Sequence, residues 1–289
     1  MSVLELSEVD PGSRPFWLRP KWLVGHVLVI VLVVAFTNFG FWQLRRLDER
    51  RGANAVIAAR SSVPVQPIGE VVPTGAGSDD VGGLAYRRVT AQGTYDAGAS
   101  VLVRSRALEG RPGFHVLTPL VLDDDRVVMV NRGFAPFTTD AAEALAVTRP
   151  PAGDVEVTGL VLVTQERQGI GPTDPAEGTL TEIARVDLGR LQQQYSRELY
   201  PVYLQLQEQS PPTEGLPVVL PPPEQTEGNH LSYAGQWFLF AAVGAIGWPV
   251  LLWRTAQERD RLAPPSAAAA GAASLNRRPG GPGGVVSAP

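Results

Sequence analysis

Leu23–Trp42 reads LVGHVLVIVLVVAFTNFGFW, a run without a charged side chain. Held as a helix at about 1.5 Å per residue, it covers about 30 Å, the thickness of a bilayer's hydrocarbon core. A second such run, Leu231–Trp253 (LSYAGQWFLFAAVGAIGWPVLLW), lies near the other end of the chain. Together they predict a membrane hairpin: helix 22–43 going out and helix 230–253 returning. Residues 44–229 then lie on one side of the membrane, and 1–21 and 254–289 on the other. The first run is expected to stay as an uncleaved anchor. Its apolar core is longer than that of a signal peptide, and Asn38-Phe39-Gly40-Phe41-Trp42 offers no small-x-small cleavage site.

Basic residues near helix ends set the orientation, because they resist translocation. Arg254, Arg259 and Arg261 follow the second run closely, whereas no Lys or Arg lies between Arg197 and that run. The C-terminal end of the second helix is therefore expected in the cytoplasm. Both termini would then be cytoplasmic and the central domain would lie outside the plasma membrane. Arg45, Arg46, Arg50 and Arg51 consequently fall on the side that the positive-inside rule disfavours, which suggests that they have a task there.

Composition narrows the function classes. The net charge of -4 gives no support for nucleic-acid binding. Cysteine is absent, so neither disulfides nor thiolate ligands are available, and three histidines, His26, His115 and His230, are too few for a multi-histidine metal centre. Arg supplies every basic residue except Lys21, and with abundant Ala, Gly, Pro and Val this is the composition of a GC-rich bacterial coding sequence. No nucleophile elbow, phosphate loop or zinc motif occurs; Asp123-Asp124-Asp125 reads as a turn, and Glu166 with Asp174 lacks a metal-binding repeat. An enzyme is not expected.

The central segment is expected to be β-rich. Val155, Val157, Val161 and Val163 alternate on one face of a strand, and Val202, Leu204 and Leu206 on another. Val101–Arg106, Phe114–Leu122 and Arg126–Asn131 are further strands, the last two joined through Asp123-Asp124-Asp125. Leu47–Ala59 extends the first helix outward, Gly69–Gly83 is a loop, and Leu188–Leu199 is a short helix capped by Asp187. The fold class is α+β: a two-helix hairpin with an antiparallel β-rich extracytoplasmic domain, either a sandwich or a partly closed barrel. Pro211–Pro223 should run extended. Met1–Pro20 is expected to be a mobile lead-in, and Ala263–Pro289, mostly Ala, Gly, Pro and Ser, a disordered tail.

The candidate site lies where both runs meet the central domain. His230, Tyr233, Ala234 and Trp237 fall along one helix face at spacings of three, four and seven. Gly40, Trp42, Gln43, Arg45 and Arg46 lie at the same depth on the first helix. Imidazole can ligate haem iron, arginines can pair with propionates, and Gly40 and Ala234 leave room for a flat ring, so the group suits a porphyrin between the helices. The same residues also read as interfacial anchors, since Trp, Tyr and Arg collect at membrane surfaces. His26 reads as a helix contact and His115 as a satisfied sheet residue. Asn131-Arg132-Gly133-Phe134 reads equally as a buried arginine fixing a loop and as a surface that meets a partner.

Four motifs carry a resemblance to a known family: Gly40-Phe41-Trp42-Gln43-Leu44-Arg45-Arg46; Gly113-Phe114-His115-Val116-Leu117-Thr118-Pro119-Leu120; Val130-Asn131-Arg132-Gly133-Phe134-Ala135-Pro136; and Asn229-His230-Leu231-Ser232-Tyr233-Ala234-Gly235-Gln236-Trp237. In this order the chain resembles the Surfeit-locus family of cytochrome c oxidase biogenesis proteins from about Phe39 to Trp237. Phe134 and Ala135 stand where that family usually has tryptophan and valine. The resemblance implies an assembly factor for haem-copper cytochrome c oxidase that holds or presents haem a for insertion into catalytic subunit I, with His230 as the haem-iron ligand. It further implies transfer of haem a from its synthase within the lipid bilayer of a bacterial plasma membrane. The alternative is a structural or accessory subunit that stabilises an oxidase complex without touching haem.

Overall fold

The computed structural model describes residues 15–137, 140–165, 167, 169 and 171–262. The expectations for the leading residues before Pro15, for the tail from Ala263 and for Glu166 lie outside them. The chain divides into two compact units: one is built on the two ends, up to Asp48 and from Gly228, and the other is Glu49–Glu227.

In the first unit, α1 (Pro20–Ser61) begins its path through both units, and the returning helix is His230–Leu262. Both are long and apolar enough to cross a membrane. They pack antiparallel through small residues. A side chain at Gly40 would lie 2.6 Å from the Phe238 ring, one at Gly25 2.6 Å from Trp248, and one at Gly244 3.0 Å from Val33. Between apolar helices in lipid, association depends on such close packing more than on hydrophobic burial. The start of the first helix and the end of the returning helix are further joined by Phe16, whose ring lies 5.3 Å from Trp22 and 4.7 Å beneath the Arg259 guanidinium.

The first helix continues through Leu47–Ala59 to Ser61, as its helix-forming Leu, Arg and Ala residues predict. In chain order the second unit then holds β1 (Gln66–Pro67), α2 (Ile68–Val71), β2 (Arg88–Tyr95), β3 (Val101–Leu108), β4 (Arg111–Leu122), β5 (Val127–Pro136), α3 (Ala141–Val147), β6 (Asp154–Val163), β7 (Glu182–Ile183), α4 (Leu188–Gln192) and β8 (Leu199–Ser210). The returning helix of the first unit is α5.

The strands pair in the order β1-β2-β6-β8-β5-β4-β3-β7, and an additional β2–β4 pairing closes β2, β6, β8, β5 and β4 into a five-stranded barrel. Of the two architectures left open by the sequence, the barrel forms. Its β5–β8 pairing is parallel, with Met129 opposite Tyr203, and the other four are antiparallel, so the barrel is mixed. Alternation gives the buried face of a strand but not its direction, because parallel and antiparallel strands share the same period. Closure depends on Gly93, where a Cβ would lie 2.1 Å from the Val121 carbonyl oxygen; only a residue without a side chain lets β2, still paired with β6 there, also meet β4.

All five barrel strands contribute to one apolar cluster, including Val89, Leu120, Val130, Val157 and Leu204. The opposite faces of β4, β5 and β8 offer Leu117, Met129 and Tyr203 to a second cluster covered by Ile183 of β7 and Leu188 and Leu191 of α4. Asp123-Asp124-Asp125 turns β4 into β5 as expected, with Asp125 at φ 63 and the Arg126 N–H donating to Asp124. Asp187 caps α4 by accepting from the Arg190 N–H at 2.9 Å. That helix stops at Gln192, short of the expected Leu199. The Gln192 amide donates to the Arg197 carbonyl and accepts from the Leu199 N–H, folding the following residues into a turn that starts β8.

Burial, and then the charge of Arg106, hold His115 at about 4, below its ordinary 6.5. The folded state therefore disfavours the imidazolium and the unfolded chain takes up the proton first. The stability that His115 contributes is complete above about pH 6.5 and is lost as pH falls towards about 4, amounting to about 3 kcal/mol at most. Denaturant midpoints should fall across this window, and His115→Asn should flatten part of the fall. A variant whose midpoints run parallel to the unaltered protein would exclude His115 as the source.

Candidate functional site

His230 opens α5, and its Nδ1 lies 2.8 Å from Oε1 of Gln43 on α1. An amide oxygen can only accept, so Nδ1–H is the donor, and the imidazole's other nitrogen, Nε2, carries the lone pair. This is the arrangement that metal-ligating histidines use, in which a hydrogen bond to one ring nitrogen fixes the tautomer and raises the basicity of the other. His230 is half-buried.

Helix geometry sorts the other candidates. Gly40 and Gln43, spaced by three, lie on the stripe of α1 that meets α5, and Leu47, one turn further along the same face, is buried. Arg46 lies one turn beyond Gln43. Arg45 is about 200° round the helix from Gln43 and faces away with Trp42, which is 46 % exposed. On α5, Ala234 and Ala241 are buried. Trp237 packs on α1, its ring 5.6 Å from Phe36 and 5.0 Å from Phe39, whereas Tyr233 is 48 % exposed at the rim. The structure thus brings His230, Gln43 and Trp237 to the helix pair and leaves Trp42, Tyr233 and Arg45 outside it.

The expectation that Gly40 and Ala234 leave room for a flat ring is corrected. Phe238 occupies the space above Gly40, and Ala234 is 1 % exposed. Small residues let the helices approach, and the larger neighbour fills the gap. A ring that takes His230 as its ligand must therefore lie against the side of the hairpin, not between the helices.

Arg51 and Glu227, both in the second unit, form a two-bond ion pair at 2.9 Å, and Asn54 donates to the Thr226 carbonyl. This ties the part of α1 beyond Asp48 to the segment that leads back to α5, and gives one of the four clustered arginines a structural task. The arginine holds the Glu227 carboxyl below its ordinary range. The sequence reading missed this clamp, because a pairing across such a separation leaves no periodic signal.

His26 is a packing residue. The Trp248 indole donates to its Nδ1 at 2.7 Å, and its Nε2 donates to the Trp17 carbonyl at 3.1 Å. An indole can only donate, so both ring nitrogens are engaged by the neutral imidazole.

Asn131-Arg132-Gly133-Phe134, one candidate for a partner surface, is instead interior. Asn131, Arg132 and Phe134 are all buried, Arg132 at 1 % exposure. Its Nη1 donates to the Thr148 carbonyl at 2.6 Å, next to α3, and its Nη2 reaches Thr213 Oγ1 at 3.5 Å, with the guanidinium over the Tyr95 ring. Burial lowers the Arg132 pKa and raises that of the Tyr95 phenol. A cation placed here costs desolvation energy that its bonds only partly offset, but those bonds join β5, α3 and the proline-rich segment. The Pro211–Pro223 segment, expected to run extended, bends at Gly215–Pro217 and is paired to β5 through two backbone bonds between Phe134 and Val218, each 2.8 Å.

Two antiparallel helices long and apolar enough to cross a membrane, flanking a five-stranded mixed barrel, with a histidine oriented by a glutamine across the helix pair, define the class of protein. By sequence the chain belongs to the SURF1 family, which it matches over residues 30–242 and which is associated with cytochrome oxidase assembly. It is similar to a SURF1-like protein of Mycobacterium tuberculosis, 28 % identical over 248 residues, covering 85 % of this chain and 89 % of that protein. It is also similar to a SURF1-like protein of Rickettsia bellii, 22 % identical over 74 % of this chain and 85 % of the relative, and to surfeit locus protein 1 of Takifugu rubripes, 26 % identical over 51 % and 66 %.

Proposed function

We propose that this protein is a non-enzymatic assembly factor of haem-copper cytochrome c oxidase that holds haem a and presents it for insertion into catalytic subunit I. The observation that carries the reading is the 2.8 Å contact between His230 and Gln43, which leaves Nε2 as the basic nitrogen at the end of α5. The haem is cargo: its iron takes Nε2 as one axial ligand, and its propionates point to the water side, where Arg46 is the nearer arginine and Arg45 reaches only from the far face. Tyr233, Trp237 and Trp42 place this end of the hairpin at the bilayer surface. A carrier must release what it holds, and a single protein ligand on an open face suits release better than a sealed two-ligand site.

The membrane topology belongs to the same reading. Arg254, Arg259 and Arg261 keep the end of α5 in the cytoplasm of a bacterial cell, so both termini are cytoplasmic and the barrel lies outside the plasma membrane. Segments 22–43 and 230–253 span, 1–21 and 254–289 are cytoplasmic, and 44–229 is extracytoplasmic. Haem a arrives from its synthase through the bilayer, and the barrel's outer surface docks subunit I.

A second reading, a structural or accessory oxidase subunit that never touches haem, is favoured by one observation: Phe238 closes the space at Gly40. Purification of the full chain from cells that make haem a separates the two. A haem a spectrum with substoichiometric oxidase subunit I is expected; a colourless protein retained one-to-one in mature oxidase would replace the carrier with the structural subunit.

A further inference from the structure

Along the hairpin, Val29, Leu32, Val33 and Phe36 of α1 and Phe240, Val243 and Gly244 of α5 line a groove of about 400 Å³. Every lining residue is apolar or glycine. The open lip is marked by Val243, which is 62 % exposed, and the floor by Gly244, where a Cβ would lie 3.0 Å from Val33. The end nearer His230 is walled by Phe36 and Phe240, with ring centroids 5.8 Å apart, and Trp237 bridges them at 5.6 and 6.0 Å.

The groove and the His230–Gln43 pair lie on one side of the hairpin. Val29, Phe36 and Gln43 recur at intervals of seven, as do His230, Trp237 and Gly244. Seven residues make about two helical turns with a drift of about 20°, so each set forms a row along its helix. The Phe36–Trp237 contact places the two rows side by side. At about 1.5 Å per residue, the groove begins about 10 Å below Gln43 and ends about 21 Å below it.

We propose that this groove receives the isoprenoid tail of haem a, so that the hairpin selects the tailed porphyrin over a tail-less one. The inference rests on the haem-carrier reading above and assigns its selectivity to a named place. A small-molecule site is mostly apolar with a few polar groups that fix orientation, and the two rows supply both in line: an iron ligand at the surface and an apolar slot below it. A phospholipid chain fits the slot but has no group for the imidazole. Haem a is an iron porphyrin with one long isoprenoid substituent, and it engages both.

The test uses the full chain in zwitterionic phospholipid nanodiscs, titrated with haem a and with haem b, which has no tail. Haem a should bind at least about tenfold more tightly, since its tail gains close van der Waals contact with the side chains of the slot, the attraction that remains between apolar surfaces within lipid. Val243→Trp, which narrows the lip, should bring haem a to the level of haem b, leaving haem b affinity and the Soret position unchanged. Leu32→Trp closes the same slot from α1 and should do the same, so the result does not hang on one variant. Equal binding of the two haems by the unaltered protein, or preference retained in both variants, overturns the groove assignment and leaves the slot to a lipid chain while the carrier reading stands. Binding of neither haem overturns both.

Discussion

His230→Ala should remove the protein's haem signature: the purified full chain loses its Soret band, and haem a content falls to background in cells that make haem a. The expectation follows from the hydrogen bond that fixes Nε2 as the basic nitrogen. Gln43→Leu should have a smaller effect of a different kind. The iron ligand survives but its orienting acceptor is gone, a change that typically costs 10–100-fold in affinity at metal sites. Haem titration should therefore show weakened binding with a retained Soret position in Gln43→Leu, and no specific band in His230→Ala. An unchanged spectrum and haem content in His230→Ala would dispose of the ligand assignment, whatever the oxidase phenotype.

The largest stability effect should come from Gly133→Ala. Gly133 sits at φ 139, a conformation that side chains rarely adopt, and a Cβ there would lie 2.2 Å from the Val218 carbonyl oxygen. That oxygen accepts the Phe134 N–H, and the Val218 N–H returns a bond to Phe134. An added methyl group therefore strains the backbone, at about 1–3 kcal/mol, and pushes away the segment that completes the pairing, at about 1 kcal/mol for each lost bond. A total of about 3–5 kcal/mol should lower the melting temperature on the order of 10 °C for a domain of this size. Gly110→Ala is the control: Gly110 has φ 77 but nothing within 4 Å of the position its Cβ would take, so it should show the backbone strain alone. Equal shifts in the two variants would mean that the contact with Val218 contributes nothing measurable.

These two experiments probe units whose legibility in the sequence differed. The candidate site was readable because its residues are local in the helix period: His230 and Trp237 share a face by spacing, and Gln43 lies at the matching depth of the other run. Spacing could not show that Arg45 points away, because the contact stripe of α1 is defined only once α5 lies against it. Nor could it show that Phe238 fills the space at Gly40; small residues read alike whether they admit a ligand or a neighbouring helix.

The central unit shows the same division. The faces of β6 and β8, the Asp123-Asp124-Asp125 turn and the Asp187 cap were all legible, since each depends on neighbouring residues. The strand β2 and the short α3 were missed. The first alternates Val89 and Ala91 with polar residues too weakly for its period to stand out, and the second spans only seven residues.

By itself, the amino-acid sequence determined that two apolar runs bracket a β-rich segment, which faces of β6 and β8 turn inward, and where α4 and the turn between β4 and β5 begin, because hydrophobic period, capping and turn chemistry act over a few residues. Only the tertiary structure decided that β2 closes onto β4, that β5 runs parallel to β8, that Arg132 is interior, and that the groove shares a side with His230. Each of these is a choice of partner across a long separation in the chain, made by the packing of surfaces that local sequence leaves equally available.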